Sequence, residues 1–264
     1  MKRLLLLCAF SLSACGAETT PYEPITEPPT DTFLDELRAD YPVTLSPIAE
    51  GVWVHTTNYT LPGQAPISTN GLVVIDGDAV TLIDAAWGEL ATLSLIETVR
   101  EATQLPVTRL IVSHHHPDRT QGVDAAEREG LEVFTHPDTP TLAARAGWPV
   151  PNTSVTALKD PQSRTRVGKV EIAFPGHGHA PDNLVAYLPD SRILYGGSAV
   201  RGGGAETLGN VDDADLDAWI QSLNWVKATY PDTRLVVPGH GKGGDLSLLD
   251  ATITLITNAR AGND

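Results

Sequence analysis

The chain is 264 residues long, 41% hydrophobic, and carries a formal net charge of −15 at pH 7. That length and apolar content suffice for one sizeable core, or for two fused halves around one. The acidity argues against nucleic acid or an anionic membrane face as a partner, since both attract positive charge.

Lys2 and Arg3 open the chain and are followed by the apolar run Leu4 to Phe10. A run this short cannot form a permanent bilayer span, and with its basic start it reads as a signal peptide over residues 1–14. Leu12-Ser13-Ala14-Cys15-Gly16 has the form of a bacterial lipobox, in which Cys15 becomes the lipidated first residue. An ordinary small-residue cleavage site that happens to precede a cysteine is the other reading. Gly16 carries no sign of inner-membrane retention, so the expectation is a periplasmic protein anchored to the outer membrane through Cys15. Residues 15–40 are then expected to be a lipidated terminus and flexible tether. Pro21, Pro24, Pro28 and Pro29 punctuate a stretch with no helical or strand period. Cys8 leaves with the signal and Cys15 carries lipid, so a folded domain over residues 41–264 has no thiol. Such a domain has no disulfide, cysteine nucleophile or thiolate metal ligand.

From Tyr41 onward the pattern becomes regular. Val52 to His55, Gly71 to Asp76 and Ala79 to Asp84 read as strands, with Asp76-Gly77-Asp78 as a tight turn. Leu90, Leu93, Ile96 and Val99 fall at helical spacing in a segment ending near Gln104. Val107 to Val112 and Leu131 to Thr135 are strand-like, and a short helix follows from Thr139 to Ala146. The second half repeats this grammar, with strands at Val170 to Phe174, Leu184 to Leu188, Ile193 to Tyr195 and Arg234 to Val237. Helices from about Ala214 and over Leu246 to Ala259 complete it. Strands followed by helix, twice over, predict two sheets packed face to face with helices outside.

Three apolar or glycine-rich segments end in histidine. Ser113-His114-His115-His116-Pro117-Asp118-Arg119 follows one strand, Pro175-Gly176-His177-Gly178-His179 follows another, and Pro238-Gly239-His240-Gly241 a third. Alternation turns His114 and His116 to one side and His115 to the other. A third imidazole from His179 would complete a three-histidine site with an open water position, which suits zinc. Asp118, turned by Pro117, can reach a neighbouring metal with His240 as its partner. Two metals about 3.5–4 Å apart can clamp both ends of a displacement. A lone histidine is usually a surface or hydrogen-bonded core residue; three converging strand-end motifs are a different matter.

With Asn70-Gly71-Leu72-Val73-Val74, Leu82 to Trp87, the His114-to-Gly122 run, Asp182-Asn183 and Leu208-Gly209-Asn210, the chain resembles the metallo-β-lactamase superfamily. It is most similar to the first subclass of class B β-lactamases. Arg119 directly after Asp118 sets it apart from thioesterase-like relatives such as glyoxalase II, which carry a ligand histidine there. The resemblance implies an α/β fold, the four-layer αββα sandwich of that superfamily. It also implies one or two zinc ions per chain, the first on His114, His116 and His179. A second would sit on Asp118, His240 and residue 198, where the family pattern has cysteine and this chain has Ser198. A neutral hydroxyl is a far poorer zinc ligand than a thiolate, so the second site is expected to be weak.

The implied activity is hydrolysis of a small-molecule β-lactam by a metal-bound hydroxide, with Asp118 orienting the nucleophile and Asn210 polarising the lactam carbonyl. Arg201 stands where relatives usually carry a lysine for the substrate carboxylate. Residues 60–67 match a flap, from which Leu61 and Ile67 could touch apolar substrate groups. Trp87 is expected to pack beneath the site, and His55, His115, His136 and His177 are read as non-ligands. A monomer is expected. The alternatives are a hydrolase of the same fold acting on lactones, thioesters or esters, and a non-catalytic zinc-binding lipoprotein.

Overall fold

Apolar residues occupy both faces of the central strands, and that dictates the layering. The computed structural model describes residues 30–262; the expected signal peptide, the expected lipidation site Cys15 and the proline-rich stretch lie outside the described residues. A six-stranded sheet runs in the order β1 (Thr44–Ala49), β2 (Val52–Tyr59), β3 (Ile67–Asp76), β4 (Ala79–Ile83), β5 (Val107–Ile111), β6 (Glu132–Phe134). A five-stranded sheet runs β11 (Leu235–Pro238), β10 (Ile193–Gly197), β9 (Val185–Leu188), β8 (Val170–Phe174), β7 (Ser163–Val167). On β3, Leu72 and Val74 face the second sheet and meet Ile172, Phe174, Ala186 and Tyr195. Val73 between them faces outward onto Leu95, Ile96 and Val99 of helix α2 (Glu89–Thr103, after α1 at Asp31–Asp40).

The second sheet repeats the logic. Val185, Leu194 and Val236 point away from the inter-sheet core, and Trp219, Leu223 and Ile256 cover them. These come from α6 (Leu216–Thr229) and α7 (Ser247–Ala261); between α2 and α6 lie α3 (Pro117–Thr120), α4 (Val123–Arg128) and α5 (Thr139–Ala146). Strands buried on both faces read as near-continuous apolar runs, which is how they appear in the sequence. The result is the expected four-layer αββα sandwich.

Two parallel pairs position the site. β4 runs parallel to β5, and β10 parallel to β11, so the residues just past these strands emerge together. Main-chain hydrogen bonds join the two sheets there, Asn70 N–H to Gly239 O at 2.8 Å and Leu184 N–H to Ser113 O at 2.7 Å, while Gly239 N–H to Gly197 O at 2.7 Å continues the β10–β11 pairing past the strand ends.

The tether expected over residues 15–40 gives way to helix at Asp31. Thr30 caps α1 by accepting from the Phe33 N–H, and Leu37 is buried. Ser94 on α2 donates to Tyr41 O at 2.7 Å, and Arg38 pairs with Glu101, so this helix docks on the domain. The edge strands β1 and β7 were not foreseen. Each has one solvated face, β1 contains Pro47 at a bulge, and β7 reads Ser-Arg-Thr-Arg-Val. Polar, proline-bearing edges carry little apolar signal by design of the sheet.

Candidate metal centre

The chain leaves β5 at Ile111 and enters α3 at Pro117, and the segment between carries the histidine run. His114 Nε2 lies 3.1 Å from His116 Nδ1, which in turn lies 3.1 Å from His179 Nε2. All three rings are buried. Their protonation follows from what stands behind them. Ser113 Oγ donates its single proton to Asp84 Oδ2 at 2.8 Å, so at 3.1 Å it accepts from His114 Nδ1–H. His116 Nε2–H donates to Asp213 Oδ2 at 2.9 Å. His114 Nε2 and His116 Nδ1 therefore carry lone pairs, and His179 Nε2 faces the same point. Burial, together with the neighbouring His116 and His179, pushes the His114 pKa well below its ordinary value. Burial and His116 push His179 down to about 3. Three buried imidazoles converging on one point are the donor set of a zinc position, and this chain fits that metal.

His115 turns away, as expected. Its Nδ1 meets Asp182 Oδ1 at 2.9 Å, and Asp182 Oδ2 accepts from Thr139 Oγ1 at 2.7 Å. His115 Nε2 also comes 3.6 Å from the Asp213 carboxylate, so His115, His116 and Asp213 form a second donor group. His116 cannot serve both groups as a neutral ring, because its Nε2 keeps the proton while Nδ1 faces the first position. Asp213 thus orients His116. His55 is buried against Ile83 O and Asp84 O, His177 is exposed, and His136 packs on Phe174; none joins the cluster.

The second cluster is built around Arg119. Asp118 Oδ2 lies 3.0 Å from His240 Nε2, and His240 Nδ1–H donates to Ser68 O at 2.9 Å. Arg119 Nη2 reaches Ser198 Oγ at 3.2 Å, Gly239 O at 3.1 Å and His240 Nε2 at 3.1 Å. Its Nε is 3.0 Å from Asp118 Oδ2, a close ion contact without hydrogen-bond alignment. Nη1 donates to Asn70 O at 3.0 Å. Burial alone would raise the Asp118 pKa, yet the Arg119 charge and the His240 contact hold it well below the carboxylate range. Asp84, at the end of β4 with φ 62°, moves the other way. Burial raises its pKa despite Arg119 and the hydrogen bonds from Tyr195 and Ser113. Position 239 has to be glycine, because a Cβ there would stand 2.4 Å from Arg119 Nη2 and 2.8 Å from the Gly197 carbonyl carbon.

A cleft of about 580 Å³ opens over both clusters, with His116, His179, Asp118, Ser198 and His240 at its base. Ile67, Trp87, Arg201 and Asn210 are on its walls. Leu61 is not part of this wall, and Ile67 belongs to β3, paired with Tyr59, rather than to the loop before it. Trp87 was expected beneath the site; instead it stands in the wall, stacked on Tyr59 with ring centroids 4.5 Å apart. Arg201 is half-buried, its Nε donating to Thr207 O at 3.1 Å, and burial lowers its pKa. Asn210 is exposed and accepts from Asp212 N–H at 3.0 Å through Oδ1, which leaves its amide N–H₂ as the donating end.

Asp213 and Tyr195 were missed as supports. Only the acidic run Asp212-Asp213 beside Asn210 could have hinted at the first, while Tyr195 lay hidden in an apolar strand whose hydroxyl reaches Asp84 Oδ2 at 2.6 Å.

A profile of the metallo-β-lactamase superfamily matches residues 65–240. The chain is 37% identical over 218 residues to a metallo-β-lactamase type 2 of Bacillus sp. (strain 170), covering 81% of this chain and 82% of that one. With a metallo-β-lactamase type 2 of Bacteroides fragilis it shares 31% identity over 215 residues, 81% and 85% of the two chains. Among solved structures, a metallo-β-lactamase from Hirschia baltica superimposes with a TM-score of 0.78 at 32% identity, covering 81% of this chain and 98% of that chain. The mono-zinc form of FIM-1 from Pseudomonas aeruginosa gives a TM-score of 0.79 at 30% identity, covering 83% and 96%. Sheet order, the three-histidine cluster and these likenesses agree: the chain is an enzyme of the metallo-β-lactamase superfamily.

Proposed function

We propose that this enzyme hydrolyses the β-lactam amide bond with a zinc ion held by His114 Nε2, His116 Nδ1 and His179 Nε2. The observation that carries the reading is the convergence of three neutral imidazoles, two with their tautomers fixed from behind, at the base of a cleft with Arg201 and Asn210 in its wall. Zinc bound there supplies Lewis acidity that makes a water nucleophilic near neutral pH. Asp118, kept ionised by Arg119, would accept a hydrogen bond from the attacking water and aim it at the carbonyl carbon. The Asn210 amide donates to the carbonyl oxygen as charge develops on it. Arg201 pairs with the carboxylate of the substrate, and Ile67 and Trp87 cover its apolar side. The names of the relatives support the substrate class.

The soluble domain should turn over at least one of a penicillin, a cephalosporin and a carbapenem when zinc is titrated in. Failure with all three at saturating zinc would overturn the substrate assignment. On sequence grounds we further propose a monomer tethered to the periplasmic face of the outer membrane through lipidated Cys15. Cys15→Ala should release it from the membrane fraction or block its maturation.

A further inference from the structure

We propose that the guanidinium of Arg119 takes the place of a second metal, so that the enzyme binds a single zinc and supplies the other cation from its own chain. This rests on reading the three-histidine cluster as a zinc position. Each donor that a second metal would need is already within reach of Arg119: Asp118 Oδ2 at 3.0 Å, Ser198 Oγ at 3.2 Å and His240 Nε2 at 3.1 Å. The side chain has no exposed surface and stays charged at any accessible pH. It is also fastened to the backbone, Nη1 donating to Asn70 O at 3.0 Å and Nη2 to Gly239 O at 3.1 Å, so it does not swing out to admit an ion.

The donor set points the same way. A thiolate at position 198 would bring a negative charge to offset a dication beside a guanidinium; Ser198 brings a neutral oxygen that accepts from that guanidinium instead. Asp118 is then the one anion of the trio, and Arg119, which also stands 3.5 Å from Asp84 Oδ2 behind the cluster, already compensates it. A dication here would meet like charge with one carboxylate to hold it, and the donors present do not fit a second metal. Arg119 is therefore a positioning residue: it holds the Asp118 carboxylate in place at 3.0 Å, the part a second metal would otherwise play.

The test is metal stoichiometry by equilibrium dialysis against buffered zinc, with cobalt spectra as an independent readout. Wild type, Ser198→Cys, Arg119→Lys and the double variant Arg119→Ala/Ser198→Cys are compared, with circular dichroism to monitor folding. Wild type and Arg119→Lys should each hold one zinc. Ser198→Cys should gain little while Arg119 remains. The double variant should bind a second zinc more tightly than wild type by more than about tenfold, the scale on which neighbouring groups tune metal affinity. Its cobalt form should then show a thiolate charge-transfer band that wild type lacks. Two zincs of comparable affinity in wild type would overturn this inference and leave the zinc-hydrolase reading intact. No zinc in wild type would overturn both. If the double variant does not fold, the wild-type count and the single zinc retained by Arg119→Lys decide the matter.

Discussion

At the first metal position, three buried imidazoles turn lone pairs toward one point, and His114 and His116 have their far nitrogens tied to Ser113 and Asp213. At Asp118, two residues further along, a carboxylate, a hydroxyl and an imidazole surround a guanidinium of the same chain. The two clusters share a loop, a cleft and a scaffold of parallel strand ends. They differ in charge balance. Neutral donors that face one another satisfy nothing until a cation arrives from outside. An anion beside a fixed arginine is already compensated. A ligand-like set of side chains is therefore not by itself a metal site; the charge standing among the donors decides.

The largest expected effect breaks the first half of that comparison. His116→Ala or His179→Ala removes one of three lone pairs, and hydrolysis should fall to background while circular dichroism stays native-like. Zinc content measured alongside activity should drop together with it. Near-normal turnover in both variants would show that the three-histidine cluster is not the reactive centre.

Asp118→Asn attacks the second half. It removes the water-orienting carboxylate and leaves Arg119 buried beside one fewer anion. Turnover should fall on the order of 10²–10³-fold, within the range of a lost proton-handling group. Stability should fall by about 3–5 kcal/mol, as for a broken buried pair. Urea unfolding checks the stability and single-turnover kinetics the rate. An unchanged midpoint would mean that Asp84 alone compensates the guanidinium.

How the two clusters showed in the sequence follows the same division. His114, His116, His179, Asp118 and His240 were legible because strand ends and glycine turns announce where side chains emerge. The core was legible because alternation in Leu72-Val73-Val74 has a physical cause on both faces. Asp213 was not, since it reaches His116 from a loop with no period. Nor was the reach of Arg119 across to Ser198 and His240, which depends on how two sheets meet. Helix α1 was hidden by the prolines just before it, although Leu34 and Leu37 stand at helical spacing.

Two smaller effects sharpen the contrast between orienting a ligand and binding a substrate. Asp213→Asn should weaken zinc binding by about 10–100-fold, with activity recovered at excess zinc, because it loosens His116 without removing a ligand. Arg201→Ala should raise KM roughly tenfold with a smaller change in kcat, and Arg201→Lys should restore most of it. A zinc-dependent defect in the Arg201 variant would place that side chain in the metal frame rather than in the wall.

The smallest effect concerns a residue behind both clusters. Burial pushes the His55 pKa down from 6.5 to about 4, against hydrogen bonds to Ile83 O and Asp84 O that favour its charge. The folded protein thus keeps His55 neutral where the unfolded chain would protonate it. Its contribution to stability is fully present above pH 6.5 and is lost as pH falls toward about 4, a change of about 3 kcal/mol. His55→Gln can still donate to the same carbonyls but does not titrate, so its unfolding free energy should be flatter with pH across that window than that of wild type. Because His55 touches neither cluster's donors, zinc affinity at pH 7.5 should not move. Parallel pH curves for the two proteins would assign the acid sensitivity elsewhere. A change in zinc affinity would mean that the strand-end frame, and not only the donors and their charges, tunes the first position.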